Sequence, residues 1–185
     1  MRPLTLGCAA LAVTMMLSCG KGKEGDAGAA ARAFIDRHLE RVRPLEKESN
    51  LAWWRANTTG QPEDFQAKEK AENALNKVLA DRAAFDELKR ARERRAGADE
   101  ILKRSIEVLY LTYLGKQVEP ALLERMVAKS NAVERMFNVY RAPVAGRQLS
   151  ENDVRKILRE SRDSAERELA WKGSKGVGRQ IEPVL

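Results

Sequence analysis

The amino-acid sequence predicts an all-α protein, an elongated assembly of several helices of which the first is long. Apolar residues recur at three- and four-residue steps along most of the chain, which is the spacing of amphipathic helices. Sustained alternation of apolar and polar residues, which is typical of half-buried strands, occurs nowhere. In addition, 33% of the 185 residues are charged and only 5% are aromatic, so we expect a thin core and wide solvated helix faces.

The N-terminal segment predicts export and lipid attachment. Residues 1–18 have the form of a signal peptide, because Arg2 is their only charge and the apolar stretch Leu4–Leu17 is too short to span a membrane. The stretch leads into Leu-Ser-Cys-Gly, which resembles the lipobox of bacterial lipoproteins, so Cys19 is expected to become the processed N-terminus and to carry the lipid. With Gly20 next, the resemblance implies a lipid-anchored protein of the bacterial cell envelope, at the outer membrane. The alternative is an ordinary cleaved signal peptide that happens to contain a cysteine.

Two regions follow the signal peptide. Residues 19–31, which are rich in Gly, Ala and Lys after Cys19, predict a flexible tether, and residues 32–185 predict the helical region. The first helix is expected from about Ala27 to Asn57, continuing through Pro44 with a kink just before it.

The end of the first helix holds two adjacent tryptophans. Trp53 and Trp54 precede an Asn-Thr-Thr-Gly breaker that ends at Gly60. Because each indole ring brings a large apolar area, we expect this stretch to pack deeply against other helices.

Local signals place the later helices. Starts are indicated at Gln61-Pro62, Asp81, Asp99, Glu119-Pro120 and Ser150, each of which combines proline or a capping side chain with an apolar periodicity. Breaks are indicated at Gly97, at a turn capped by Ser130, at Pro143–Gly146 and at Gly173–Gly178.

Two of these helices carry further predictions. Asp99–Lys116 is apolar on nearly all sides, which predicts a central helix. The helix capped by Ser150, with Asp153 three residues later, is expected to continue to Leu169.

The residues themselves identify no catalytic centre and no metal site. The chain has one histidine, His38, on the apolar face of the first helix, where a packing role is expected. No zinc-binding His-Glu-x-x-His, nucleophile elbow or phosphate loop occurs. The net charge of +7 is spread over interleaved acidic and basic residues, and the basic run at 89–95 is broken by Glu93, so nucleic acid is not an expected partner.

Two motifs resemble the angiotensin-converting-enzyme family, the peptidyl-dipeptidase A zinc metallopeptidases. The first is Phe-x(19)-Trp-x-x-Asn-Thr, formed here by Phe34, Trp54, Asn57 and Thr58. The second is similar to the family's Ser-Arg-x(8)-Trp-x-Gly-Trp-Arg followed by Gly-Arg. It is formed here by Ser161-Arg162, Trp171-Lys172-Gly173-Ser174-Lys175 and Gly178-Arg179. The matches keep the family's order and together span Phe34 to Arg179.

The resemblance implies that this chain is the N-terminal lid part of an exported, lipid-anchored zinc peptidyl-dipeptidase, truncated before its zinc motif and inactive alone. The family's zinc ligands would follow residue 185, so the all-α fold is expected to be incomplete without a downstream catalytic region. No zinc is then bound by this chain alone, and peptide is a substrate only if that region is present. The membrane is contacted only through the lipid anchor.

The family's buried chloride site provides one transferable pair of residues. Trp171 and Lys175 match the family's Trp and Arg at that site, which implies an anion role for Lys175, with a solvated lysine as the alternative. Ser174 replaces the family's second Trp. The other reading of the whole chain is a non-catalytic helical envelope lipoprotein that binds a peptide or protein partner.

Overall fold

A computed structural model describes the backbone of residues 20–94 and 99–185 and the side chains of residues 27–94 and 99–185. The predicted signal peptide at 1–18, the lipidation site Cys19 and the break at Gly97 lie outside the described residues. The elements in chain order are α1 (Gly20–Thr59), α2 (Pro62–Leu79), α3 (Arg82–Glu93), α4 (Glu100–Leu114), α5 (Pro120–Val139), β1 (Ala142–Val144), β2 (Arg147–Leu149), α6 (Glu151–Glu160), α7 (Ser164–Lys175), α8 (Val177–Ile181) and a short 3-10 helix (Glu182–Val184). The predicted all-α class with a long first helix is confirmed.

Helix α1 begins earlier than the sequence indicated. It starts at Gly20, so residues 20–31, which were expected to form a flexible tether, lie in its first turns. It continues through Pro44, as predicted, and ends where the Gly60 N–H bonds the Ala56 carbonyl. Gly60 has a φ of 69°, the left-handed conformation that commonly closes a helix.

The larger core lies where α1, α3 and α4 meet. The predicted starts at Asp81 and Asp99 are confirmed, because each aspartate accepts hydrogen bonds from two backbone N–H groups of the helix that it caps. The aromatic rings of this core form one edge-to-face pair and one stacked pair. The buried side chains of this core are Ala31, Phe34, Val42, Leu79, Phe85, Leu88, Leu102, Ile106 and Tyr113.

The prediction that α4 is central is wrong. The helix buries Leu102, Ile106 and Tyr113, whereas Ile101 is 80% exposed and Leu111 is also exposed. Within the described residues, α4 packs mainly on α3 and α1, which cover one side of it. Its opposite apolar face therefore remains open.

One predicted helix break is absent, and another is present but does not fall at its first glycine. Helix α5 runs without interruption from Pro120 to Val139, so Ser130 lies inside a helix and caps no turn. The break predicted at Gly173–Gly178 falls at Gly176, which caps the end of α7, whereas Gly173 lies inside that helix, buried against the β1 strand. A Cβ at Gly173 would stand 2.8 Å from the Pro143 carbonyl oxygen, so glycine is required here by close packing.

The C-terminal third contains a hairpin that the sequence did not indicate. Strands β1 and β2 pair antiparallel around Ala145 and Gly146, both of which have positive φ, as a two-residue hairpin turn needs. Strands of three residues are too short to show a two-residue period.

The helix predicted from Ser150 to Leu169 is two helices, α6 and α7. The predicted capping box at the start of α6 is confirmed. The chain leaves helical conformation at residues 161–163, and Asp163 caps the second helix. The hairpin packs with these helices into a smaller core of Ala142, Val144, Val154 and Ala170.

In the part of the chain that the structure describes, no helix combines the length and the apolar character needed to cross a membrane.

Candidate functional site

A cavity of about 610 Å³ lies where the end of α1, the end of α5, the hairpin and α6–α8 meet. We refer to it as the motif groove, because it brings together Asn57 of the first sequence motif and Lys175 of the second, which are far apart in the chain. Its lining residues are Asn57, Glu134, Phe137, Asn138, Tyr140, Ala142, Leu149, Glu151, Arg155, Ser174, Lys175, Val177 and Gly178. Trp54, Thr58 and Trp171, the other motif residues predicted for the site, are not among them.

Asn57 joins the end of α1 to α5. Its Nδ2 donates to the Trp53 carbonyl at 3.0 Å and to Glu134 Oε1 at 2.8 Å. The Asn57 carbonyl in turn accepts a hydrogen bond of 2.9 Å from Asn138 Nδ2. Asn57 therefore satisfies a backbone carbonyl near the end of α1 and holds α1 against α5 at one wall of the motif groove.

The remaining residues of the first motif point elsewhere. Thr58 Oγ1 donates to the Trp54 carbonyl at 2.9 Å, which satisfies a carbonyl at the end of α1. The indole of Trp54 is 64% exposed and that of Trp53 is about half exposed, so the prediction that this stretch packs deeply is wrong. Trp53 also hydrogen-bonds Glu134 of α5 through its side chain, so Trp54 is the more open of the two rings.

A buried ionic network adjoins the motif groove through Glu134, and the sequence analysis did not predict it. Lys68 of α2 is 2% exposed, and its Nζ lies 2.9 Å from Glu72 Oε1 and 2.8 Å from Glu134 Oε2. The same Nζ donates to Asn131 Oδ1 at 2.9 Å, and Asn131 Nδ2 donates to Glu72 Oε2 at 2.6 Å. Since Glu134 also bonds Asn57, the network links α1, α2 and α5. The only local signal in the sequence is the four-residue spacing of Lys68 and Glu72.

The network shifts the pKa values of Lys68 and Glu134. Burial lowers the pKa of Lys68, but the hydrogen bonds and charges of Glu134 and Glu72 outweigh it, so the pKa lies above its ordinary value. Burial likewise raises the pKa of Glu134, and the hydrogen bonds from Lys68 and Asn57 bring it below its ordinary value. Lys68 and Glu134 therefore both stay charged near neutral pH.

The second motif places a lysine over an aromatic ring. Lys175 Nζ lies 5.7 Å from the centre of the Trp171 ring, a cation–π arrangement, and both side chains are exposed. The family's chloride site is buried, whereas this pair faces the surface of the described region. An anion role for Lys175 remains a prediction.

Tyr140 fixes α7 as the opposite wall of the groove. Its hydroxyl donates a hydrogen bond of 2.7 Å to the Gly173 carbonyl, and Gly176 packs directly beneath the same hydroxyl. The two glycines thus allow α7 to approach Tyr140 and the hairpin closely.

The described residues do not fit a zinc ion. They contain no group of three or more His, Cys, Asp or Glu side chains that could hold a metal. His38 Nδ1 lies 3.1 Å from the Tyr113 hydroxyl, and burial lowers the pKa of His38 against the opposing charge of Glu46. The histidine is a half-buried packing residue, as predicted, and no catalytic step follows from it.

The structure is therefore a helical region that carries the two motifs together with the buried ionic network. The sequence model of the family described as angiotensin-converting enzyme matches residues 26–184, so the chain belongs to that family. This confirms the resemblance stated from the motifs. No curated protein and no solved structure matches the chain.

Proposed function

We propose that this chain forms the lid region of an exported, lipid-anchored zinc peptidyl-dipeptidase, and that it is inactive without a zinc-bearing region. Hydrolysis of peptides then needs a zinc-bearing region of the kind that the family carries, against which this chain packs. Zinc and chloride belong to that complete enzyme. Family membership supports the peptidase relationship.

The observation that carries the lid role is the set of exposed aromatic side chains around the motif groove. Trp54 is one turn from Asn57, Phe137 lines the groove, and Trp171 is one turn from Lys175, and all three are exposed. Aromatic side chains concentrated beside a cavity are typical of the centre of a protein–protein interface. A zinc-bearing region that covers them would complete the groove.

The test begins with the DNA downstream of the Leu185 codon. We expect a reading frame that encodes His-Glu-x-x-His, and we expect the joined protein to release a dipeptide from the C-terminus of an N-blocked tripeptide. A chelator should abolish the release, and the present chain alone should release nothing. If no such frame follows, or if the joined protein fails to cleave, the peptidase proposal fails for this chain.

A second candidate is the non-catalytic envelope lipoprotein that binds a peptide or protein partner. The observation that favours it is the complete pairing of the buried Lys68 network, which the chain achieves without any other region. Thermal unfolding of the full chain distinguishes the two. One cooperative transition supports a self-standing domain, whereas a dye-binding helical state without one supports a lid that lacks its body.

Membrane attachment is a separate part of the proposal. Lipid on Cys19 would hold the protein at the outer membrane. Metabolic labelling with radioactive palmitate should mark the wild-type protein and not the Cys19→Ser variant, and only the wild type should fractionate with outer membranes. Equal labelling of both proteins would contradict this assignment.

A further inference from the structure

Helix α4 has one side that the other described helices leave uncovered, and we refer to it as the open face of α4. It is formed by Ile101, Arg104, Val108 and Leu111, which follow one another at three- and four-residue steps and therefore lie on one side of the helix. All four side chains are exposed. The residues that α4 buries against its neighbours lie on the opposite side of the helix.

An apolar groove continues the open face toward α1. It has a volume of about 540 Å³, and its lining includes Ile35 and Leu39 of α1 together with Ile101 and Val108 of α4. Contiguous exposed apolar surface of this kind is typical of a site that another molecule covers.

The hydroxyl groups on this surface are already satisfied within α4. Ser105 Oγ donates to the Ile101 carbonyl at 2.9 Å. Thr112 Oγ1 donates to the Val108 carbonyl at the same distance. An apolar partner can therefore cover both residues without leaving their hydroxyl groups unpaired.

Two charges of opposite sign border the open face. Arg104 is exposed, and the described residues form no ion pair with it. Glu107 lies at the edge of the face next to α3, where its two oxygens accept hydrogen bonds of 2.6 and 3.1 Å from Arg92. A carboxylate has about four acceptor sites, so Glu107 can also bind a second guanidinium.

The open face is self-complementary when two copies of α4 lie antiparallel. The midpoint between Ile101 and Leu111 is residue 106, and the midpoint between Arg104 and Glu107 lies about 0.8 Å from it along the helix axis. One twofold axis therefore places Ile101 of each copy against Leu111 of the other. The same axis places Arg104 of each copy beside Glu107 of the other, because rotation about it keeps each residue on its own edge of the face. This match of residue i with j and of j with i is what a symmetric contact between identical chains requires.

We propose that the open face of α4 is a self-association surface, on which two copies of this chain pair their α4 helices antiparallel about a twofold axis near residue 106. The aliphatic stem of Arg104 covers Val108 of the other copy, and its guanidinium bonds the Glu107 carboxylate there. The open face shares no residue with the motif groove, so the dimer does not rest on the proposed function.

The test is sedimentation velocity of the full chain over a range of concentrations. We expect an equilibrium between monomer and dimer in the micromolar range, since the interface is small. Ile101→Asp should abolish the dimer, because each copy would then bury a carboxylate against Leu111. The matched control is Leu169→Asp, which changes an exposed leucine of α7 and should leave the equilibrium unchanged.

Two charge variants test the antiparallel pairing itself. Arg104→Glu brings only carboxylates together across the axis, and Glu107→Arg brings only guanidinium groups together, so each variant alone should dimerise at least about tenfold more weakly than the wild type. An equimolar mixture of the two variants should dimerise again, because every carboxylate then faces a guanidinium. Association through the apolar stretch Leu4–Leu17 does not depend on these charges. Circular dichroism should show the helical content of the wild type for each variant.

The proposal is overturned if the wild type sediments as a monomer at about 100 μM. It is also overturned if Ile101→Asp dimerises as tightly as the wild type, or if the mixture of charge variants associates no more tightly than either variant alone. Any of these results would assign the open face to another occupant, a different protein surface or an apolar ligand. None of the readouts involves hydrolysis, so a failed peptidase assay leaves the dimer standing and a monomeric chain leaves the peptidase proposal standing.

Discussion

Replacing Lys68 by methionine should destabilise the chain by about 2–3 kcal/mol. Methionine keeps the length and apolar stem of the side chain but removes an ammonium that has three oxygen partners at 2.8–2.9 Å. Breaking a fully buried ion pair costs about 3–5 kcal/mol, because the remaining charge stays buried and unpaired. Here the carboxylate side chains of Glu72 and Glu134 are 28% and 29% exposed, so water relieves part of that cost.

The matched control is Lys103→Met. Lys103 is 33% exposed and pairs at 2.7 Å with Glu100, which is 84% exposed and keeps its hydration when the lysine is removed, so the same substitution there should cost less than about 0.5 kcal/mol. Urea unfolding followed by circular dichroism gives both free energies of unfolding by linear extrapolation. Adding Glu134→Gln to Lys68→Met should recover part of the loss, since it removes one of the two uncompensated carboxylates.

The pH dependence of this difference gives an independent check. The pKa of Glu134 lies below its ordinary value of 4.5, so its contribution is complete above pH 4.5 and is lost as the pH falls through the folded-state pKa. The pKa of Lys68 lies above its ordinary value of 10.5, so its contribution is complete below pH 10.5 and is lost as the pH rises through the folded-state pKa. The gap between wild type and Lys68→Met should therefore be widest between these limits. Equal stability of Lys68→Met and Lys103→Met at pH 7 would refute the reasoning.

Three further predictions address other parts of the molecule. Gly173→Ala should destabilise the chain by about 1–3 kcal/mol, because the new methyl group would press on the Pro143 carbonyl; Gly178→Ala, whose Cβ would meet nothing within 4 Å, should be neutral or slightly stabilising in the same urea experiment. Asp99→Ala should lower the melting temperature through loss of the α4 cap, whereas Asp99→Asn, which keeps a capping oxygen, should lower it less. Backbone N–H groups of α4 and an arginine hold the pKa of Asp99 below 3.8, so the wild-type advantage should fade as the pH falls below 3.8. Trp54→Ala should leave the melting temperature of this chain within about 2 °C, because the ring is exposed, but should weaken binding to a zinc-bearing family region measured by calorimetry. A large loss of stability in that variant would show that the ring packs within this chain.

Helix starts could be predicted from the sequence because their causes are local. Asp81, Asp99 and the Ser150–Asp153 pair satisfy backbone N–H groups within three residues of themselves. Such caps depend on residues that are adjacent in the printed sequence, and each of these predictions is confirmed. The all-α class follows from the same kind of local pattern.

Burial could not be predicted in the same way, because it depends on which faces meet. The apolar residues of α4 indicate a helix surrounded by partners, yet Ile101 is 80% exposed because neighbouring helices cover one side only. Lys68 resembles any surface lysine in the sequence, yet its three partners on α2 and α5 make it one of the least exposed side chains. The role of Gly173 depends on contact in the same way, since this glycine allows a close approach inside α7, whereas Gly176 ends that helix as the sequence predicts.

The first sequence motif therefore combines two physical roles. Asn57 and Thr58 satisfy polar groups within this chain and fix the end of α1 to α5, so a folded lid requires them whether or not anything binds to it. Trp54 contributes little to that fold, since most of its ring is exposed, and a large apolar surface that the chain leaves open favours a role in contact with another surface. The same division holds in the second motif, where Gly173 is required by the approach of α7 to the hairpin and Trp171 faces outward. Each motif thus couples a residue that shapes the motif groove to an indole beside it, which is the arrangement expected of a lid whose closed form is completed by a second region.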